Sequence, residues 1–341
     1  MSRAPAPPQS ASERVADPAD VERFRTDLIA LTGEAPSFAR PIGVAVSGGP
    51  DSMALLVLAA RAFPQACIAA TVDHGLRESA ASEARMVAGQ AEALGVPHTT
   101  LTVATPITGA SMQAQARRAR YQLLAGWAEE MKALAVATAH HADDQAETFL
   151  MRAGRASGIT GLAAIRPRAT VAGATLVRPL LGWRRAALRA IVRREGVSFV
   201  DDPSNADPRH DRTRYRRLLD QNEWLDPPAL ARTAAWVGEA ERDLAAIGAL
   251  MWRERAQVTE GNVTFVPDDL PRDTLRRMAR RAITTVREHH GITTPPFEAG
   301  ANIEPLLDSL LIGKRATHAE VIAAARKTGW HFRPAPPRRS L

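Results

Sequence analysis

A chain of 341 residues is long for one domain and suits two, with enough apolar content to give each its own core. Its single cysteine, Cys67, excludes an internal disulfide, a cysteine-based zinc site and a cysteine-ligated iron–sulfur cluster. The formal charge of +7 is carried almost wholly by arginine and favours a polyanionic partner, although abundant Ala beside Arg also follows from GC-rich codon usage.

The opening stretch MSRAPAPPQSASERVADPAD is rich in Pro, Ala and Ser, so residues 1–22 are expected to form a disordered tail. It holds no hydrophobic region of the secretory kind, and no run of 18 or more apolar residues occurs in the chain. A soluble, cytoplasmic protein without membrane contact is expected. A helical pattern begins at Phe24, and Ile42 to Val46 is an apolar strand that stops at Ser47-Gly48-Gly49-Pro50. Helical spacing resumes with Met53, Leu55, Leu56 and Leu58, and a second strand, Cys67 to Val72, ends at Asp73-His74-Gly75. Further alternation follows: helix Glu83–Leu94, strand Thr99–Val103, helix Arg117–Met131, strand Leu134–Thr138. This alternation predicts an α/β fold with a doubly wound parallel sheet over residues 23–222.

After Leu181 the pattern is helical, and Asp201 to Arg217, dense in Asp, Arg and Pro, reads as a loop. Leu230–Arg255 and Leu270–Glu288 carry apolar residues at spacings of three and four and predict long helices, followed by a small mixed region ending in Trp330-His331-Phe332. Residues 223–333 are thus expected to form a second, smaller, mainly helical domain, and residues 334–341 a Pro-Arg tail.

Ser47-Gly48-Gly49-Pro50-Asp51-Ser52 lies between a buried strand and a helix, where free N–H groups and the helix dipole attract anions. The glycines admit a ligand close to the backbone, and Pro50 suits the first helical turn. The Ser47 and Ser52 hydroxyls suit phosphate oxygens, and Asp51 suits a Mg²⁺ ion held against them. No lysine follows, so neither G-x-x-x-x-G-K-[ST] nor G-x-G-x-x-G is present. Alone, two glycines after a strand can simply make a turn. Position argues otherwise, because ligands of open α/β sheets bind beyond the carboxyl ends of the strands, and two further polar clusters, around His74 and from His140 to Thr148, also follow strands.

His140, Asp144 and Glu147 fall at i, i+4 and i+7 and share a face if the helix begins at His140. Asp143 reads as a first-turn acid that complements the helix dipole. Arg117, Arg120 and Tyr121 share another helix face, suited to phosphates or to surface ion pairs. His74 contacts a nucleotide or caps its turn, with nothing in the sequence to separate the two, and Asp73 reads as structural. His289-His290 and the scattered Trp residues have no partners at ligand spacing and read as surface and core.

Ser-Gly-Gly-x-Asp-Ser at Ser47–Ser52 resembles the signature loop of the ATP-pyrophosphatase (PP-loop) superfamily, whose members split ATP between its α and β phosphates. V-D-H-G-L-R at Val72–Arg77, A-R-x-x-R-Y at Ala116–Tyr121 and H-x-x-D-D-x-x-E-T at His140–Thr148 resemble the tRNA(Ile)-lysidine synthases within it. So do R-x-S-G-I-x-G-L at Arg155–Leu162, R-P-L-L at Arg178–Leu181, D-D-P-S-N at Asp201–Asn205 and, more weakly, G-K-R-A-T at Gly313–Thr317. In the segment after D-P-S-N, Thr213 stands where the family usually has Asn.

The resemblance implies that the wobble cytidine of a tRNA(Ile) with a CAU anticodon is activated by ATP with Mg²⁺ and then joined to the ε-amine of L-lysine. It implies nucleotide contacts from Ser47 to Ser52 and His74, and phosphate or RNA contacts from Arg117, Arg120, Arg212 and Arg216. Asp51, Asp144, Glu147 and Arg212 would carry the chemistry, with Asp144 and Glu147 binding lysine, and residues 223–333 would hold a small tRNA-binding domain. A homodimer is compatible with the sequence. A 2-thiocytidine synthase would use the same loop but needs several cysteines, and a non-catalytic RNA-binding paralogue need not retain Asp51, Asp144 and Glu147.

Overall fold

In the computed structural model, which describes residues 16–73, 75, 80–103, 112–201, 211–298 and 300–336, the Asp17 side chain accepts the Ala19 N–H and Pro18 enters the first turn of α1 (Pro18–Thr32). The helix therefore begins inside the expected tail, and buried Ala16 donates its N–H to Glu195. His74, Leu76, Arg77 and residues 202–205 lie outside the described residues.

From there the chain alternates: β1 (Ile42–Ala45), α2 (Pro50–Ala62), β2 (Cys67–Asp73), α3 (Ala80–Ala93), β3 (His98–Thr102), α4 (Met112–Glu130), β4 (Ala135–Ala137) and α5 (Ala142–Ala153). The short α6 (Ile159–Leu162) and a hairpin of β5 (Arg168–Val171) and β6 (Ala174–Val177) follow, the latter turning at Ala172-Gly173 with positive φ at both residues. Then come α7 (Arg185–Glu195), α8 (Asp211–Gln221) and α9 (Pro227–Arg255).

The loop expected over Asp201–Arg217 is corrected by α8. Its buried Thr213 and Leu219 pack inward, while Arg212 and Arg216, one turn apart, find a shared carboxylate on α5. Thr213, at the position of the departure, sits 7% exposed within the helix.

Among the described residues, six strands form a sheet of order β3-β2-β1-β4-β6-β5, parallel except for the β5–β6 pair. The apolar runs of β1 and β2 are buried on both faces, as a parallel sheet requires: α2 packs with Met53, Leu55, Leu56 and Leu58 fully buried, and Leu124 and Trp127 of α4 join a second cluster with Ile68 and Val136. The strand order reverses between β1 and β4, so the crevice beyond their carboxyl ends is where such a fold binds ligands.

The chain divides into two compact units, Met1–Gly238 and Glu239–Leu341, with the break inside α9. After α9 the second unit continues with β7 (Ala256–Thr259), β8 (Asn262–Phe265), α10 (Arg272–His289), α11 (Glu304–Leu311), β9 (Arg315–His318), β10 (Val321–Arg326) and β11 (Gly329–Pro334). The five strands make an antiparallel sheet, β7-β8-β11-β10-β9, so the unit is more mixed than the expected mainly helical domain. Val263, Phe265, Val321, Ala323, Trp330 and Phe332 alternate onto one face and share a core with α10 and α11, with Phe265 5.5 Å from Trp330 and 5.6 Å from Phe332 between ring centroids. No described helix is long and apolar enough to cross a membrane.

Candidate active site

The segment between β1 and α2 is folded by its own small residues. Gly48 adopts φ +83°, a conformation that a side chain would strain, and Gly49 stands as the cap of α2 with Pro50 in the first turn. The Ser52 hydroxyl donates to Gly49 O at 2.9 Å and accepts the Ser47 N–H at 3.1 Å, which closes the loop over the helix N-terminus. Gly49, Pro50, Asp51 and Ser52 bring the N-terminus of α2, whose first N–H groups have no partner within the helix, to the crevice. Asp51 stands in that first turn, with Oδ1 buried and without a hydrogen-bond partner.

Opposite, β4 leads into α5. The helix starts at Ala142, so His140 precedes it, and Asp144 and Glu147 alone share the face expected for all three. His141 is the cap: its Nδ1 accepts the Asp144 N–H at 3.3 Å, and its own N–H donates to Asp144 Oδ2 at 3.0 Å. The expected structural role of Asp143 is supported in a different form. It caps α7, accepting the Arg185 N–H at 2.8 Å and pairing with Arg184 at 3.3 Å.

Glu147 is 1% exposed, and each of its oxygens accepts one guanidinium: Oε2 from Arg212 Nε at 2.7 Å, Oε1 from Arg216 Nε at 2.8 Å. Arg212 also reaches Asp144 Oδ1 at 3.1 Å. Burial alone would raise the Asp144 carboxyl, but His141, Arg212 and His140 outweigh it and hold the group below the usual carboxylate range. His140 is pushed down to about 4, by burial first, with Asp144 opposing and Arg178, Arg212 and Arg117 adding to the shift. For His141 burial acts the same way but loses to Asp51, Asp144 and Asp143, and the ring's affinity for a proton is raised.

These elements enclose a cleft of about 610 Å³, within the range of small-molecule sites. Ser47, Gly49, Pro50, Asp51, Ser52, Arg117, Arg120, Asp144, Arg212 and Arg216 all line it, so the structure brings together most of the residues singled out from sequence. Arg117 and Arg120 lie against Tyr121, 5.0 and 5.2 Å from its ring centroid. Asp73 accepts the Gly75 N–H at 2.8 Å and also lines the cleft. Glu147 borders a neighbouring cavity of about 310 Å³ with Asp143, Arg184, Arg185 and Arg216. Sequence reasoning missed His141, and it missed Arg185 and Arg189 of α7, which line the cleft from a helix without a motif. His289 and His290 are exposed, as expected.

A helix N-terminus for anions, a carboxylate beside it and cations around it, at the switch point of a parallel sheet, define a PP-loop protein, and the PP-loop domain family matches residues 22–223. The likeness extends to whole proteins. The chain is 44% identical over 304 residues to a tRNA(Ile)-lysidine synthase from Zymomonas mobilis, covering 87% of this chain and 89% of that one. It is 42% identical over 321 residues to another from Novosphingobium aromaticivorans, covering 93% and 94%, and 41% identical over 329 residues to one from Bradyrhizobium, covering 87% and 90%. The chain belongs to the tRNA(Ile)-lysidine synthase family.

Proposed function

We propose that this enzyme activates the wobble cytidine of a CAU-anticodon tRNA(Ile) with ATP and joins it to free L-lysine in the cytoplasm. The O2 of the cytosine attacks the α-phosphorus and pyrophosphate leaves; the ε-amine of lysine then attacks C2, AMP leaves, and the amine gives up a proton. The reading rests above all on one observation: the α2 N-terminus with Asp51 and the α5 N-terminus with Asp144 face the same cleft across the switch point, ringed by arginines.

Phosphoryl chemistry of this kind is catalysed mainly by positioning and by cations on the developing charge. The loop from Ser47 to Ser52 is assigned to the leaving phosphates, and Arg212, which lines the cleft and is 45% exposed, to the α-phosphate. Arg117, Arg120 and Arg216 are assigned to nucleotide or RNA phosphates. The buried, unpartnered Asp51 Oδ1 suits a cation, and Mg²⁺ held there with nucleotide phosphates would supply charge neutralisation. Asp144 and Glu147 are assigned to lysine. Asp144, held ionised, faces the cleft and suits an ammonium group; it favours the charged amine on binding and stands ready to take its proton. Glu147 is engaged with both arginines and borders the neighbouring cavity, so its contact with lysine would require one of them to move.

The second unit is assigned to the tRNA. The sheet face turned away from its core carries Arg315, Arg326, Arg333 and His331 beside Asn262 and Thr264, and no acidic side chain stands on these strand positions. Among the described residues none of the three arginines has an ion-pair partner, whereas Arg272, Arg276 and Arg277 of α10 are held by Glu304, Asp308, Asp273 and Glu241. Free guanidinium groups on an open face suit a phosphate backbone.

The test is AMP release from ATP in the presence of a tRNA(Ile) transcript. Asp51→Ala is expected to keep its thermal midpoint and release no AMP; undiminished AMP release by this variant would overturn the assignment of the loop.

A further inference from the structure

Asp51 and Asp144 stand on different helices, α2 and α5, that follow different strands, and a single imidazole lies between them. His141 Nε2 is 3.5 Å from Asp51 Oδ2 and 3.6 Å from Asp144 Oδ2, in a side chain that is 2% exposed. The other nitrogen is already committed, because Nδ1 accepts the Asp144 N–H as the cap of α5. A proton on Nε2 therefore stands between the Asp51 and Asp144 carboxylates. Asp51 has only two oxygens to orient: with Oδ2 drawn toward His141, Oδ1 is the one left without a partner.

We propose that His141 is a positioning residue that ties the phosphate loop to the N-terminus of α5, so that the Asp51 carboxylate is presented in one orientation to a divalent cation and the nucleotide phosphates it accompanies. The inference rests on the nucleotide reading of the Ser47–Ser52 loop. Its physical basis is that of an outer partner orienting a first-contact ligand: a free aspartate samples several rotamers, and binding must select one, whereas a tethered one is already aligned. The same ring fixes the start of α5, so the spacing between the cation-facing carboxylate and the lysine-facing Asp144 is set by one side chain.

The two functions of His141 are separable. Asparagine is a strong helix cap, so His141→Asn keeps the α5 start but is too short to reach Asp51. Glutamine places an amide where Nε2 stands and caps poorly, so His141→Gln keeps the reach and weakens the cap. The experiment is calorimetric binding of a non-hydrolysable ATP analogue to the full chain across a Mg²⁺ titration, with thermal midpoints alongside and no turnover involved. His141→Asn is expected to melt within a few degrees of the parent while the Mg²⁺ concentration for half-maximal analogue binding rises about 10- to 100-fold, the usual loss when an outer partner of a metal ligand is removed. His141→Gln is expected to recover much of the Mg²⁺ response while melting lower. In an Asp51→Asn background the His141→Asn change is expected to have no further effect on analogue binding.

Parental Mg²⁺ dependence in His141→Asn, or losses in the two variants that follow only their melting points, would overturn the proposal. Should His141→Asn fail to fold, the Mg²⁺ response of His141→Gln decides: a parental-like response supports the tether, and a loss as large as that of Asp51→Asn contradicts it. If the parent itself fails to bind the analogue, the nucleotide reading falls instead.

Discussion

Arg212 and Glu147, 65 residues apart in sequence, are joined by a 2.7 Å bond from Nε to Oε2, and Arg216 takes the other oxygen, so one buried carboxylate docks α8 onto α5. The acid is thus both a candidate for lysine and the anchor of two arginines.

Replacing it separates these roles. Glu147→Ala leaves two guanidinium groups unpaired and is expected to cost about 2 kcal/mol, less than the about 3–5 kcal/mol of a fully buried pair because both arginines remain partly exposed. At temperatures where the variant stays folded, lysine-dependent product formation is expected to fall at least about 100-fold, two powers of ten or about 2.7 kcal/mol, while analogue binding changes little. Equal losses in lysine use and nucleotide binding would undo the lysine assignment.

His140 makes stability depend on pH. Its folded pKa of about 4 lies below the unfolded value near 6.5, so between those limits the unfolded chain binds more protons. The His140 contribution is constant above this window and declines as pH falls through it, by about 2 kcal/mol at pH 5, while His141, whose proton affinity is raised, acts in the opposite sense. The thermal midpoint of the parent is expected to drop more between pH 7 and pH 5 than that of His140→Asn; parallel profiles would show that the ring does not titrate as described.

The open face of the C-terminal sheet is testable through salt. The double change Arg315→Glu, Arg333→Glu is expected to weaken tRNA binding and to flatten the slope of log affinity against log salt by roughly 2, about one unit per lost phosphate contact. ATP and lysine kinetics on a short anticodon stem-loop are expected to be unchanged. An unaltered salt slope would remove this face from the RNA interface.

Cys67 separates this chemistry from sulfur transfer. It is buried in the core at the start of β2, and burial pushes its thiol up to about 12, which disfavours the nucleophilic thiolate. Cys67→Ala is expected to keep lysine ligation and to lose only about 1 kcal/mol of stability. Loss of activity at an unchanged melting point would return sulfur chemistry to consideration.

The parts legible in the sequence were local. A β-branched run stopped by Ser47-Gly48-Gly49-Pro50 specifies strand, loop and helix start without help from elsewhere, and the same holds for β4 and the acidic first turn of α5. What escaped was nonlocal or depended on a helix boundary. Arg212 and Arg216 looked like loop residues because the carboxylate that makes a helix of their segment lies on α5. His141 was hidden by starting α5 at His140; placed as the cap, with Asp144 three residues on, it gives the capping-box spacing. The C-terminal strands are four to six residues long and partly built from alanine, as in Val321–Arg326, and their alternation emerges only when α10 and α11 cover one face.

The most direct measurement is incorporation of labelled lysine, with ATP and Mg²⁺, into a tRNA(Ile) transcript with a CAU anticodon and into a control transcript whose wobble cytidine is replaced. Label confined to the first transcript, with AMP and pyrophosphate released in equal amounts, is the expected result. Absence of label from both, while the protein still binds ATP and tRNA, would contradict the lysine reading and direct the search to another nucleophile.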